Sequence, residues 1–329
     1  MGTQVGGSGL ISASAAALLA ARNGGMSSAA WENLFEIFGH LKYVDDADVH
    51  ERAKSNPALA AAYKMVRPSN WLDSGLPADV PPKIAIENGI PVVWVPPPQV
   101  LAELAAVEPD QRMSVLRYHE ESVLDLCAWL IEESDDPALW DAQTLARNAL
   151  RAFTEGHHQA AMTLAVAVSE GLALWAANQE LLVFDSEEER TAYEESLREA
   201  KKADEIQSVK YERAEHLLGH FATREDRSLW LTYWRAVLSP IPRFFAPYYA
   251  ERGDPIPATT SRHVTAHSPS VAHLSEENSL IAIMLCSSLL REKQSWHEYE
   301  REQQIAWEES VRDQQLAWEE QAGADCLDC

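Results

Sequence analysis

From Gln99 onward the chain is a succession of helical signals. Gln99 to Val107, Pro109 to Glu132, Pro137 to Phe153, His157 to Leu182 and Glu187 to Phe221 each carry apolar residues near a 3.6-residue period. The fourth is the clearest: Ala161, Leu164, Ala165, Val168, Leu172 and Trp175 fall on one stripe. His157-His158 then reads as the start of that helix. A further helix is announced by Ser275, an N-cap residue followed by Glu276 and Glu277 where negative charge is favoured. Ile281, Met284, Leu285 and Leu289 follow it as one apolar face. The pattern predicts a mainly α protein built on a helical bundle from about residue 99 to 291.

The first hundred residues have a different texture. Met1 to Met26 is a Gly, Ser and Ala leader, with no Lys or Arg ahead of its apolar stretch Leu10 to Ala21. That run is far short of the roughly 18 apolar residues needed to span a bilayer. It reads as neither signal peptide nor anchor, and no membrane partner is expected. Ala30 to Lys42 and Asp48 to Val66 have helical spacing. Lys83 to Val95 holds Ile84, Ile86, Ile90, Val92, Val93 and Val95 split by Asn88-Gly89, which predicts a short hairpin. Residues 27–98 are therefore expected to form a small α+β region, closed by Pro96-Pro97-Pro98 as a domain boundary.

Charge narrows the possible partners. Against 27 Lys and Arg stand 51 Asp and Glu, a formal net charge of -24. This argues against a protein that coats DNA by neutralising phosphates, while leaving room for a local basic site. The acids are unevenly placed: residues 292–329 hold eleven against three bases, and residues 185–213 hold ten against six. The second segment suits a solvent-facing helix inserted in the bundle. The first is an acidic tail helix with an internal repeat, Gln303 to Glu309 recurring as Gln314 to Glu320. Trp296, Trp307 and Trp318 stand 11 residues apart, which keeps them near one helix face. Such a tail serves as a self-packing or dimer coil, or as an acidic helix that docks a partner or competes for a basic groove.

Four cysteines make no disulfide framework, and Cys127 and Cys286 lie inside apolar helical patterns as reduced thiols, which points to the cytosol. Metal signals are weak. His216 and His220 have helical ligand spacing without a third ligand nearby, and Cys326 and Cys329 lack a second pair. No phosphate-binding glycine loop, Gly-x-Ser-x-Gly elbow or His-Glu-x-x-His motif occurs, and no cofactor is expected.

Between Arg224 and Arg262 the balance turns positive and aromatic residues interleave with arginines. Arg235, Arg243, Tyr248 and Tyr249 are candidates for contacts to RNA, since arginines beside aromatic faces hold phosphates and stack bases. The same pattern is equally that of a helix pair whose aromatics are core and whose arginines are a solvated rim. Next comes Arg262-His263-Val264-Thr265-Ala266-His267, an Arg-x4-His pair directly before the capped core helix. With 19 arginines and 11 histidines in the chain, chance yields roughly 0.6 such pairs, so the spacing means little without its setting.

The setting carries a family resemblance. Asn148 to Ala161, a helix end, a Glu155-Gly156 turn and a new apolar helix, resembles the opening of a HEPN (higher eukaryotes and prokaryotes nucleotide-binding) domain. Ser261 to Leu290 resembles the end of one, and the likeness covers roughly Trp140 to Arg291. Gly89 to Pro96 is similar to a segment that accompanies such domains in uncharacterised actinobacterial-type proteins, with no activity attached. The resemblance implies an all-α bundle that commonly dimerises and, in many members, a metal-independent endoribonuclease acting as a toxin or phage-defence effector. In it Arg262 matches the family arginine, His263 the polar residue beside it and His267 the motif histidine. Cleavage of RNA by its own 2′-hydroxyl needs proton transfer near neutral pH and a fixed cation for phosphorane charge, which these residue types supply. Glu170, an acid among apolar neighbours, is either the residue that orients Arg262 or an ordinary helix-edge glutamate. The expected partners are RNA, a second copy of the chain, and an antitoxin or other protein at the acidic tail. Other HEPN-like domains only bind or scaffold, so a non-catalytic interaction module is the rival expectation.

Overall fold

A computed structural model describes residues 67–177, 187–202, 218–219, 229–246, 248–257, 259–267, 270 and 272–325. The leader, the helical spacings at Ala30–Lys42 and Asp48–Val66, the His216 and His220 pair, and Cys326 and Cys329 lie outside the described residues. Within them the protein is mainly helical, and no strand occurs.

The first three helices are α1 (Ser69–Ser74), α2 (Val80–Asn88) and α3 (Pro98–Ala106). They correct the hairpin expected over Lys83 to Val95, because Lys83 to Asn88 is the body of α2. Asn88-Gly89 requires the left-handed backbone of a tight turn, and a helix stop uses the same conformation. Gly89 has φ 69° and its N–H closes on the Ala85 carbonyl, while Pro81 and Pro82 sit in the first turn, where a missing N–H is harmless. The β-branched residues that follow, Ile90, Val92, Val93 and Val95, are buried in an irregular segment. Side chains of α1 replace a neighbouring strand there. Trp71 Nε1 donates to the Val92 carbonyl at 2.7 Å, and Asn70 Nδ2 donates to the carbonyls of Val92 and Pro96 at 3.0 and 3.1 Å.

Gly89 also makes room for a second cap. Arg243 Nη2 donates to the carbonyls of Ile86 and Glu87 at 2.8 and 2.7 Å, and a Cβ on Gly89 would lie 2.8 Å from Arg243 Cδ. Gly89→Ala therefore combines left-handed strain with displacement of this arginine, and should cost about 1–2 kcal/mol. Thermal denaturation beside wild type measures it.

The bundle consists of α5 (Glu120–Glu132), α6 (Trp140–Thr154), α7 (His158–Ala177) and α12 (Glu276–Asp325), preceded by the short α4 (Arg112–Tyr118). These helices match the periodic segments closely, since each apolar stripe had a bundle neighbour to meet. α12 packs against α5, α6 and α7, and from Ala282 to Leu290 every residue is buried. The expected cap is present: Asn278 N–H donates to Ser275 Oγ at 3.2 Å. Cys127 and Cys286 are free and buried, and burial pushes each thiol up to about 12, so neither is a ready nucleophile. α7 is apolar and long enough to cross a membrane by composition, with 56% of that window buried in the fold. Outside the bundle lie α8 (Glu187–Lys202), α9 (Leu229–Leu238) and α10 (Pro240–Phe245). α8 is the described part of the charged segment, and its Tyr193 is buried.

α12 runs unbroken through position 291. It stays buried as far as Tyr299, and the Asp136 carboxylate takes His297 Nδ1 at 3.3 Å and Arg301 Nη1 at 3.2 Å. Beyond that turn Ile305, Glu308 and Arg312 are exposed. At 1.5 Å per residue the helix is about 75 Å long.

Candidate functional site

The segment that carries the Arg-x4-His pair is pinned before it begins. His273 is 1% exposed. Its Nδ1 meets the Pro257 carbonyl at 3.2 Å, and its Nε2 meets the Ser261 N–H at 3.3 Å and the Ser261 carbonyl at 3.2 Å. The Pro257 carbonyl can only accept, so Nδ1 donates to it, while the Ser261 N–H donates to Nε2. Asn278 Nδ2 donates to the His273 carbonyl at 2.9 Å, and Thr260 Oγ1 donates to the Asn278 carbonyl at 3.0 Å. The start of α12 thus holds residues 260 and 261, and with them the origin of α11 (Arg262–His267).

α11 packs against α7 and α10. From α7, Glu170 receives Arg262 in a two-pronged contact, Nη2 to Oε1 at 3.1 Å and Nε to Oε2 at 3.4 Å. The geometry pairs Glu170 with Arg262. A forked guanidinium bound at two points keeps its plane fixed, which a lysine in its place would not. The third prong is Nη1, 3.0 Å from His267 Nε2. Arginine has only donors, so Nε2 accepts and Nδ1 carries the ring hydrogen. His267 is exposed, while the Arg262 side chain is 19% exposed and that of Glu170 32%.

His263 lies between this pair and a neighbouring loop. Its ring is 5.1 Å from that of His267 and 6.0 Å from that of Tyr249, edge-on in both cases, and its Nδ1 donates to the Tyr248 carbonyl at 3.3 Å. Tyr249 in turn lies under the guanidinium of Arg252, 4.0 Å from the ring centre. Arg252, Tyr249, His263, His267, Arg262 and Glu170 therefore form one continuous row.

The four RNA-contact candidates separate here. Tyr248 and Tyr249 are half-buried beside His263, whereas Arg243 is spent on the carbonyls of α2. Arg235 is half-buried on α9, where its carbonyl accepts the Ser239 N–H at 3.0 Å. Much of the interleaved aromatic pattern is core: Tyr233, Trp234, Phe244 and Phe245 are buried. A helix must bury its aromatic face somewhere, and α9 meets α2 and α7 with it. Among the described residues no group of three or more His, Cys, Asp and Glu is placed to hold a metal ion.

No family model matches the chain, and no curated protein or solved structure does.

Two important residues were overlooked in the sequence. His273 stands in a short polar loop with no pattern to mark it. Glu292 counts among the tail acids, yet it is 3% exposed and accepts from Trp94 Nε1 at 2.9 Å and from the Tyr233 hydroxyl. A signal for it exists: Leu285, Leu289, Glu292 and Trp296 follow one another at spacings of four, three and four, the stripe of a buried helix face.

Proposed function

We propose that the protein is a metal-independent endoribonuclease of HEPN type, a toxin or phage-defence effector of the cytoplasm built on a HEPN-like bundle. What supports this reading is one observation: Arg262 is locked by Glu170 while touching the exposed His267. A phosphodiester placed there meets a fixed cation and an imidazole together. The Nε2 lone pair is taken by Arg262. A phosphate that draws Nη1 releases it, so the base is freed when substrate arrives.

The reaction then balances as follows. His267 Nε2 takes the 2′-hydroxyl proton, the 2′-oxygen attacks phosphorus, and the bond to the 5′-oxygen breaks. A 2′,3′-cyclic phosphate and a 5′-hydroxyl end result, the leaving oxygen taking its proton from a second imidazole. His263 stands next to His267, and a homodimer would bring a second copy of the motif. The deciding experiment is RNA cleavage in EDTA by wild type and His267→Ala. Equal turnover by the two removes His267 from the mechanism, and dependence on added metal removes the mechanism itself.

The rival reading, a dimerising module that recruits a protein such as an antitoxin, is supported by the exposed Ile305, Glu308 and Arg312 on α12 past Arg301. In the nuclease reading that acidic arm competes with RNA for the arginine-bearing surface. Truncation after Arg301 spares the buried turns around Trp296 and Tyr299 and should raise RNA affinity several-fold, less so at high salt. Unchanged affinity in a titration at low salt counts against the competition.

A further inference from the structure

We propose that the loop Tyr249–Asp254 is a nucleotide subsite in which an unpaired base of single-stranded RNA stacks on Tyr249 and Arg252 takes that nucleotide's phosphate. Its position beside the reacting phosphate rests on the nuclease reading; the stacking itself does not.

The loop is closed by its own hydrogen bonds. Tyr249 N–H donates to Asp254 Oδ2 at 2.9 Å, Arg252 N–H to the Tyr249 carbonyl at 3.0 Å, and Gly253 N–H to the Ala250 carbonyl at 3.0 Å. Gly253, at φ 78°, lets the chain turn back on itself. From the other side His263 Nδ1 holds the Tyr248 carbonyl, so the loop is tied to α11. Ordering costs that weaken most loop contacts are already met in such an arrangement.

Arg252 differs from the other arginines near it. Arg262 is engaged by Glu170, and Arg243 by two carbonyls. Arg252 is exposed and, among the described residues, pairs with no carboxylate; its contact is the face of Tyr249. Of the acids beside it, Asp254 is committed to the Tyr249 N–H and Glu251 is exposed. A planar cation resting on a ring marks a site that a base can take over, the guanidinium turning outward to phosphate. The ring row from Tyr249 through His263 to His267 then sets that base next to the phosphodiester at Arg262. Bases inside a duplex offer no free face, so the loop selects single strands.

The test uses the full-length chain carrying His267→Ala, so that RNA survives, and reads fluorescence anisotropy with a short labelled single-stranded RNA and its duplex. Adding Tyr249→Ala should weaken single-strand binding about tenfold or more, with Tyr249→Phe restoring it. Adding Arg252→Ala should weaken binding severalfold and lower the salt slope by about one. The duplex should bind more weakly and be insensitive to Tyr249. Single-strand binding untouched by Tyr249→Ala, or lost together with duplex binding, or not rescued by phenylalanine, overturns the subsite. Failure of the nuclease reading would show elsewhere, as equal cleavage by wild type and His267→Ala, with these binding differences intact.

Discussion

Glu292→Gln is expected to make the protein more stable than wild type at pH 8, by about 3 kcal/mol, and to leave the two nearly equal at pH 4.5. The carboxyl lies inside the fold, and burial pushes it from 4.5 up to about 7, against the opposing pull of the Tyr233 and Trp94 hydrogen bonds and the Arg291 charge. The folded value is thus above the unfolded one. Between pH 4.5 and 7 the native protein holds a proton that the unfolded chain has released, so stability falls as pH rises through that window and levels off above it. Tyr233 on α9, itself held well above its ordinary value by burial, and Arg291 on α12 are the titratable groups facing the carboxyl. Glutamine keeps an oxygen to accept from Trp94 and Tyr233 and carries no charge to desolvate. Denaturant unfolding of both proteins from pH 5 to 8 reads the effect. Parallel stability curves would show that ionisation of Glu292 is not what the fold opposes.

The larger functional effect is expected at the Arg262 and His267 pair. Either alanine variant should lower kcat/KM for RNA by about 10²–10⁴-fold, the range for loss of a positioned acid–base or charge-stabilising group. Because Arg262 also controls the Nε2 lone pair, the two act as a unit, and the double variant should be little worse than either single one. Glu170→Gln retains an acceptor for Arg262 without the charge, and a loss nearer tenfold is expected there. Single-turnover cleavage in EDTA by wild type and the four variants provides the comparison. Additive losses in the double variant would separate the two residues, and an unaffected Glu170→Gln would reduce its contact with Arg262 to helix packing.

Much of the helical framework was legible in the chain. α3, α6, α7 and the capped start of α12 lie close to where period and capping residues place them, because a 3.6 repeat of apolar residues is a local property. The Arg262, His267 and Glu170 group was legible as a list of residues. Its joining was only one of two readings of Glu170, since 92 positions separate Glu170 from Arg262. The error over Lys83–Val95 has the same root: β-branched residues and Asn-Gly suit a hairpin in isolation, and only the packing of α1 and Arg243 onto that segment selects a helix followed by an irregular strip.

What the amino-acid sequence determined by itself is where helices begin and which face of each is apolar, as Ser275 and the stripe of α7 illustrate. The tertiary structure decided which charges are used up and which remain available. Glu292 and Trp94 are 198 positions apart, and burial turned a tail acid into a neutral-pH group. Arg243 was drawn to the end of α2, while Arg252 stayed at the surface over Tyr249. Burial and pairing depend on neighbours brought from distant parts of the chain, and no local pattern records who those neighbours are.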